Sequence, residues 1–369
     1  MDKKLLGHTN WGLLLCTLLL FGVGLVNLYS ASAIRGEGGL MLAPYFYRQV
    51  GWFCGGFVAM ACFTLFDYRR LRGHAGIIFA ISVSLLVLVL AVGTTINGAK
   101  RWLSFGGFTV QPSELVKITT LIMTAAILSR WKSYIGWIQL AYILGIALVP
   151  CVLIFLQPDL GTALNLLLLV GGVILFQGIK GSVFKVCCIV GPLLLPIGWF
   201  FITDYQRQRI LTFLDPTQDL QGAGYHIHQS QIAIGSGKLW GKGFLEGTQS
   251  KLRFLPEKHT DFAVAVFSEE WGFVGCVVLM ILFCCFLLCI VSTAIDAKDR
   301  FGSLLCVGVF FYFFWQILIN IGMVVGIFPV VGIPLPFISY GGTATVVNCI
   351  LLGLVLNVSM RRYMFKTPQ

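Results

Sequence analysis

An acidic residue stands where the chain's longest polar stretch gives way to an apolar run. The stretch extends from about Asp204 to Thr260 and closes on Phe254-Leu-Pro-Glu-Lys-His-Thr-Asp261-Phe262. The apolar run continues to about Ile295. A carboxylate costs roughly 2.5–3.5 kcal/mol at the middle of a membrane helix, so one kept near membrane depth calls for a reason. Asp261 suits a general base, or a ligand for a divalent cation (Mg or Mn) that bridges phosphate oxygens. It equally suits an N-cap whose carboxylate accepts backbone N–H bonds of the following helix.

Other ionisable residues flank the same side of the chain. Glu114 and Lys117 are three apart, close enough to meet on one helix face, either as a structural ion pair or beside a polar cavity. Asp159, in Gln157-Pro-Asp-Leu-Gly-Thr162, reads as a helix cap or as a second acid facing that cavity. Glu269 and Glu270 are adjacent in the next apolar run. Neighbours on a helix point about 100° apart, so one of the two is expected to face inward. Lys100, Arg101, Arg207, Arg209 and Lys258 form a basic set. Arg binds phosphate bidentately and Lys as a point charge, so a diphosphate is the ligand such a set would take; lipid headgroup contact is the alternative. His226, His228 and His259 are too few and too irregularly spaced to indicate a metal centre.

The elements that must hold these residues are membrane helices. Hydrophobic residues make up 57% and charged residues 11%, against roughly 25% charged in a soluble domain. A spanning helix needs about 20 apolar residues. Ten runs qualify, centred near residues 22, 58, 84, 122, 148, 169, 193, 278, 315 and 349. They are continuous rather than alternating, which favours helices over a barrel. The expected fold is an all-α polytopic membrane protein, one integral domain over residues 1–369. Its long extracytoplasmic loop, about 204–261, lies between the seventh and eighth spans.

The net charge of +11 does not point to nucleic acid, because its distribution follows the membrane. With the N-terminus inside, the cytoplasmic ends collect 14 of the 26 Lys and Arg residues, among them Lys3, Lys4, Arg69, Arg70, Arg72, Arg130 and Lys132, and the long loop takes seven. The short outer loops hold only Arg35, Arg48, Lys100 and Arg101. This is the positive-inside bias; it puts both termini in the cytoplasm and Asp261 at the outer face. The first span is longer than a signal-peptide core and reads as an uncleaved anchor. All 12 cysteines lie in apolar segments without a Cys-x-x-Cys pair, which supports neither a disulfide framework nor a zinc site.

Within the long loop, Tyr205–Leu214 sets Arg207 and Arg209 beside Ile210, Leu211, Phe213 and Leu214, as in a helix lying at the interface. Gly224–Gly235 reads as a second interfacial or re-entrant piece. Gly51/Gly55 and Gly322/Gly326 have the spacing of close helix packing. No P-loop, dinucleotide fingerprint, nucleophile elbow or His-Glu-x-x-His stands in a fitting context, so an enzyme here would take an already activated substrate from the membrane.

Several segments, in order along almost the whole chain, resemble the SEDS family. They include Asn97-Gly-Ala-Lys-Arg-Trp-Leu103, Gln111-Pro-Ser-Glu-Leu-Val-Lys117, Gln157-Pro-Asp-Leu-Gly-Thr162, Asp204-Tyr-Gln-Arg-Gln-Arg209, Gly247-Thr-Gln-Ser250, Phe254–Phe262 and Ser339-Tyr-Gly-Gly342. The forms around Asp204 and Gly247 are more like the family's elongation branch than its division branch. The resemblance implies a peptidoglycan glycosyltransferase of the inner membrane that polymerises lipid II, a disaccharide-pentapeptide on undecaprenyl diphosphate. It implies a class B penicillin-binding protein and elongation-complex proteins as partners, and brings His259 and Ser339 into the substrate-binding set. Two other classes compete: a lipid II flippase or ion-coupled carrier using Glu114, Lys117, Asp159 and Glu269 or Glu270 as a relay, and a scaffold that only activates its partner.

Overall fold

The computed structural model describes residues 9–362, apart from 37–38, 97–98, 106–107, 132, 201, 203, 216–221, 253 and 256. Among them, helices dominate: α1 (Trp11–Ser32), α2 (Pro44–Leu65), α3 (Tyr68–Val92), α4 (Pro112–Leu128), α5 (Trp137–Phe155), α6 (Leu160–Gln177) and α7 (Gly181–Gly198) precede the long loop. The loop carries α8 (Asp204–Leu214), α9 (Ala223–Ser236) and α10 (Thr248–Lys251). After it come α11 (Ala263–Ile295), α12 (Arg300–Val325) and α13 (Gly342–Arg361). Each of the ten expected centres falls in a helix. Seven of these helices (α1, α3, α5, α6, α11, α12 and α13) are long and apolar enough to cross a membrane.

The helix boundaries follow local chemistry. Pro44 and Pro112 open α2 and α4, where a missing N–H costs nothing. Asn10, Asp67 and Asp299 cap α1, α3 and α12, each accepting a backbone N–H of the first turn. Gly326, in the left-handed conformation, ends α12.

The outer connections contain short strands that the apolar pattern did not signal. β1 (Ala33–Gly36) and β2 (Gly39–Leu42) form an antiparallel hairpin. β3 (Thr94–Ile96), β4 (Ala99–Phe105) and β5 (Phe108–Val110) form a three-stranded antiparallel sheet. β4 has a direct consequence for the site. Its ladder to β3 slips at Arg101, since Thr94 pairs with Trp102 and Thr95 with Lys100, and the neighbours Arg101 and Trp102 both line the cavities described below.

Helices meet through small and polar residues, as expected where lipid removes most hydrophobic drive between them. A Cβ on Gly56 of α2 would stand 2.8 Å from Cys349 Sγ of α13, and one on Gly308 of α12 would stand 1.9 Å from Leu121 Cδ1 of α4. Gln49 bonds Thr345 at 2.9 Å, and Tyr312 donates to Asn348 at 2.9 Å. The Gly51/Gly55 spacing does not mark a packing face: nothing lies within 4 Å of either position, and it is Gly56 that makes the contact. Gly322 packs on Phe328 of its own chain turn, and Gly326 is a helix end. Phe313, in the aromatic run of α12, is fully buried against Phe286 and Phe337 rather than turned to lipid. The 12 cysteines are all free thiols.

Candidate active site

Two adjoining cavities open at the helix ends nearest the long loop, and Asp261 lines both. The smaller, about 200 Å³, is walled by Arg101, Gln111, Glu114, Lys117, Asp159 and Asn165, with Tyr340 and residues 341–344 on its far side. The larger, about 420 Å³, reaches under α8 and α9 to Gln206, Arg209, His226 and Glu257. Arg101, Asp159, Thr260 and Gly332 belong to both with Asp261.

Asp261 does not cap α11. The residue in the cap position is Phe262, and no side chain caps that helix. Instead the backbone carbonyl of Asp261 is held by Asn320 Nδ2 of α12 at 3.1 Å, while the same amide donates to Ile333 O at 2.8 Å. The Asp261 carboxylate accepts no hydrogen bond from the described residues. Burial, joined by the carboxylates of Glu257 and Asp159 and opposed by Arg209, pushes its pKa from 3.8 up to about 6. A carboxylate left open with a raised pKa is suited to taking a proton near neutral pH.

The other acids are committed. Asp159 caps α6 by accepting from Thr162 N at 3.1 Å, and its second oxygen meets Arg101 Nη1 at 3.4 Å and Gln111 Nε2 at 3.2 Å. Its cap and cavity roles are therefore combined in one side chain. Glu114 Oε1 and Lys117 Nζ are 2.7 Å apart, both buried, with Lys117 over the Tyr312 ring. Arg101 also donates to Pro158 O at 3.1 Å, so its guanidinium is fixed across the boundary between the cavities. Arg209 donates to Val330 O at 2.9 Å and lines the larger cavity.

Five residues of the sequence-derived set line neither cavity. Lys100 donates to Ala91 O at 2.7 Å, at the end of α3. Arg207 meets Asp204 at 3.3 Å and covers Trp199, about 200° around α8 from Arg209. His259 stacks on Tyr45 at 4.5 Å, and burial holds its pKa below the usual value. Ser339 Oγ accepts from Leu335 N at 3.0 Å and so closes a turn. Lys258 is also absent from both linings. Conversely, Gln111, Trp102, Asn165, Gln206 and Tyr340 line the cavities without having been singled out. They are neutral, and all but Asn165 lie in segments that carry the family resemblance.

Among the described residues no group of three or more His, Cys, Asp or Glu side chains is placed to hold a metal ion. Asp159 is occupied as a cap and ion pair.

Comparison with known proteins settles the lineage. The family profile described as cell cycle protein, FtsW/RodA/SpoVE, matches residues 11–364. The chain belongs to the FtsW/RodA/SpoVE family. Within that family it is 40% identical over 350 residues to the peptidoglycan glycosyltransferase MrdB of Escherichia coli K12, covering 94% of each chain. Its fold is similar to a chain of a solved peptidoglycan synthase complex that coordinates polymerization and crosslinking, with a TM-score of 0.82, 32% identity, and coverage of 97% of this chain and 99% of that one. It is also similar to the rod shape determining protein RodA of Thermus thermophilus, with a TM-score of 0.72, 29% identity, and coverage of 96% and 98%. The FtsW/RodA/SpoVE match thus spans both cavities and the whole helical body.

Proposed function

We propose that this chain is a peptidoglycan glycosyltransferase that polymerises lipid II at the outer face of the cytoplasmic membrane. The observation that carries the reading is the Asp261 carboxylate, open and with a raised pKa, where two polar cavities meet beside Arg101. Polymerisation needs two sugar-bearing lipids side by side with a base between them, and two joined cavities supply that arrangement.

In this mechanism Asp261 takes the proton of the acceptor hydroxyl as that oxygen attacks the donor's anomeric carbon. The bond from that carbon to the diphosphate oxygen breaks, and the diphosphate leaves with its electron pair. Arg101 and Arg209 face the negative charge that develops. The Glu114–Lys117 pair holds the inner wall of the smaller cavity at zero net charge. ATP is not needed, because the diphosphate is the leaving group.

The topology we propose has ten spans and both termini in the cytoplasm, supported by the Lys and Arg asymmetry. The partner would be a class B penicillin-binding protein, supported by the likeness to a synthase complex. Reconstituting the chain with that partner and lipid II in vesicles tests the reading. Glycan polymer is the expected product; lipid II crossing the bilayer without polymer would favour a flippase.

A further inference from the structure

The long helix α11 is broken. Gly272 has φ +64° and ψ −165°, a conformation closed to other residues, and it divides a short arm of residues 263–271 from the remainder of the span. Asp261 sits at the head of that arm, two residues before its first turn.

The break is filled by the outer loop. Phe273 N donates to Lys238 O at 2.9 Å and Val274 N to Leu239 O at 3.1 Å, while Lys242 N donates to Glu269 O at 3.0 Å and Gly243 N to Glu270 O at 3.1 Å. The backbone groups that the kink frees are thus satisfied by loop residues 238–243. The approach leaves no room for side chains: a Cβ on Gly241 would stand 2.0 Å from Glu270 O, and one on Gly272 would stand 2.2 Å from Gly241 N.

One carboxylate fastens the loop to the arm. Glu269 is fully buried, and its Oε1 meets Lys242 Nζ at 2.7 Å, Thr248 N at 2.8 Å, Thr248 Oγ1 at 3.0 Å and Gln249 N at 3.1 Å. Glu270, its neighbour, turns the other way and accepts from Ser30 of α1. Asn27 of α1 donates to Ala263 O at 3.0 Å. The arm is therefore held from α1 on one side, from α12 through Asn320, and from the loop through Glu269.

We propose that Glu269 is a positioning residue for the transfer reaction: with Lys242 and loop residues 242–249 it fixes the arm that aims Asp261 between the two cavities. The inference rests on the glycosyltransferase reading. The third anchor gathers Lys242, Thr248 and Gln249 onto one carboxylate oxygen, three residues before the break, and so ties loop residues 242–249 to the arm. A misplacement of about 1 Å at a reacting group can cost on the order of 10²-fold in rate, so the clamp need not touch substrate to control turnover.

The test compares Glu269→Ala, Glu269→Gln, Lys242→Met and Asp261→Asn with the wild type, in complex with the transpeptidase partner. The readouts are lipid II polymerisation kinetics, the pH profile of kcat, and hydrogen exchange of residues 262–271. Glu269→Ala is expected to lower kcat by roughly tenfold or more, with KM within about twofold. The isosteric Gln keeps the accepting oxygen and should recover part of that loss. Lys242→Met, at a half-exposed site that folding tolerates, should reproduce the Gln phenotype. In each active variant the arm should exchange faster while α12 does not, and the acid limb should move to lower pH as Asp261 gains water. Wild-type kcat in Glu269→Gln and Lys242→Met, with Asp261→Asn inactive, overturns the clamp and leaves the glycosyltransferase reading intact. Loss of kcat with unchanged arm exchange and acid limb also overturns it. Full activity in Asp261→Asn overturns the reading on which it rests.

Discussion

Asn320 grips Asp261 by its backbone and leaves its carboxylate free: the amide donates to Asp261 O at 3.1 Å, and no described group donates to the side chain. A structural aspartate at a helix start spends its carboxylate on the first turn. Here the position is fixed by other means, and the acid faces two cavities. This arrangement fits the proposed role of Asp261 as the base, and that proposal carries several expected outcomes.

The first concerns pH. The fold holds the Asp261 proton up to about pH 6, against 3.8 for an ordinary aspartate. The reaction needs the deprotonated form, so kcat should rise with pH through an apparent pKa near 6 and level off above it. A profile flat down to pH 4.5 would mean that another group takes the proton.

The same shift fixes a sign for stability. Between pH 3.8 and about 6 the folded chain binds more protons at Asp261 than the unfolded chain does, so this group's contribution falls as pH rises across that window. Asp261→Asn should therefore melt higher than the wild type at pH 7.5, and the gain should vanish below about pH 4. Differential scanning of both proteins at the two pH values measures it.

The basic residues divide by placement. Arg101→Ala removes a guanidinium shared by both cavities and should reduce kcat/KM on the order of 10²-fold. Lys100→Ala and Arg207→Ala should stay within about twofold, because those groups bond Ala91 and Asp204 away from the cavities. Polymerisation rates of the three variants check the division.

The Glu114–Lys117 pair is buried, and removing one partner leaves a charge uncompensated. Lys117→Met should cost about 3–5 kcal/mol of stability. Glu114→Gln combined with Lys117→Met should recover much of it, because neither charge remains. Thermal melting of the single and double variants reads this directly.

Much of the fold was legible because membrane helices are written in long apolar runs. The start of α6 was marked by Asp159, and the Glu114–Lys117 pair followed from a spacing of three. What the sequence did not reveal was direction. Lys100 and Arg101 look equivalent in sequence, and only the folded chain separates them, with Lys100 on Ala91 O and Arg101 on Asp159. Arg207 and Arg209 are two apart on α8, about 200° around a helix, so one faces the cavity while the other faces Asp204 and Trp199. Asn165 passed unnoticed because a neutral polar residue in an apolar run carries no signal until the helices around it are packed. The kink at Gly272 was hidden inside an apolar run that reads as one helix.

The most direct measurement is the rate of lipid II polymerisation by Asp261→Asn, assembled with the transpeptidase and shown by its melting curve to be folded. Asparagine keeps the shape and cannot take the proton. Loss of polymer, with lipid II binding retained, is the expected result. Glycan strands made at the wild-type rate would contradict the assignment of Asp261 as the base.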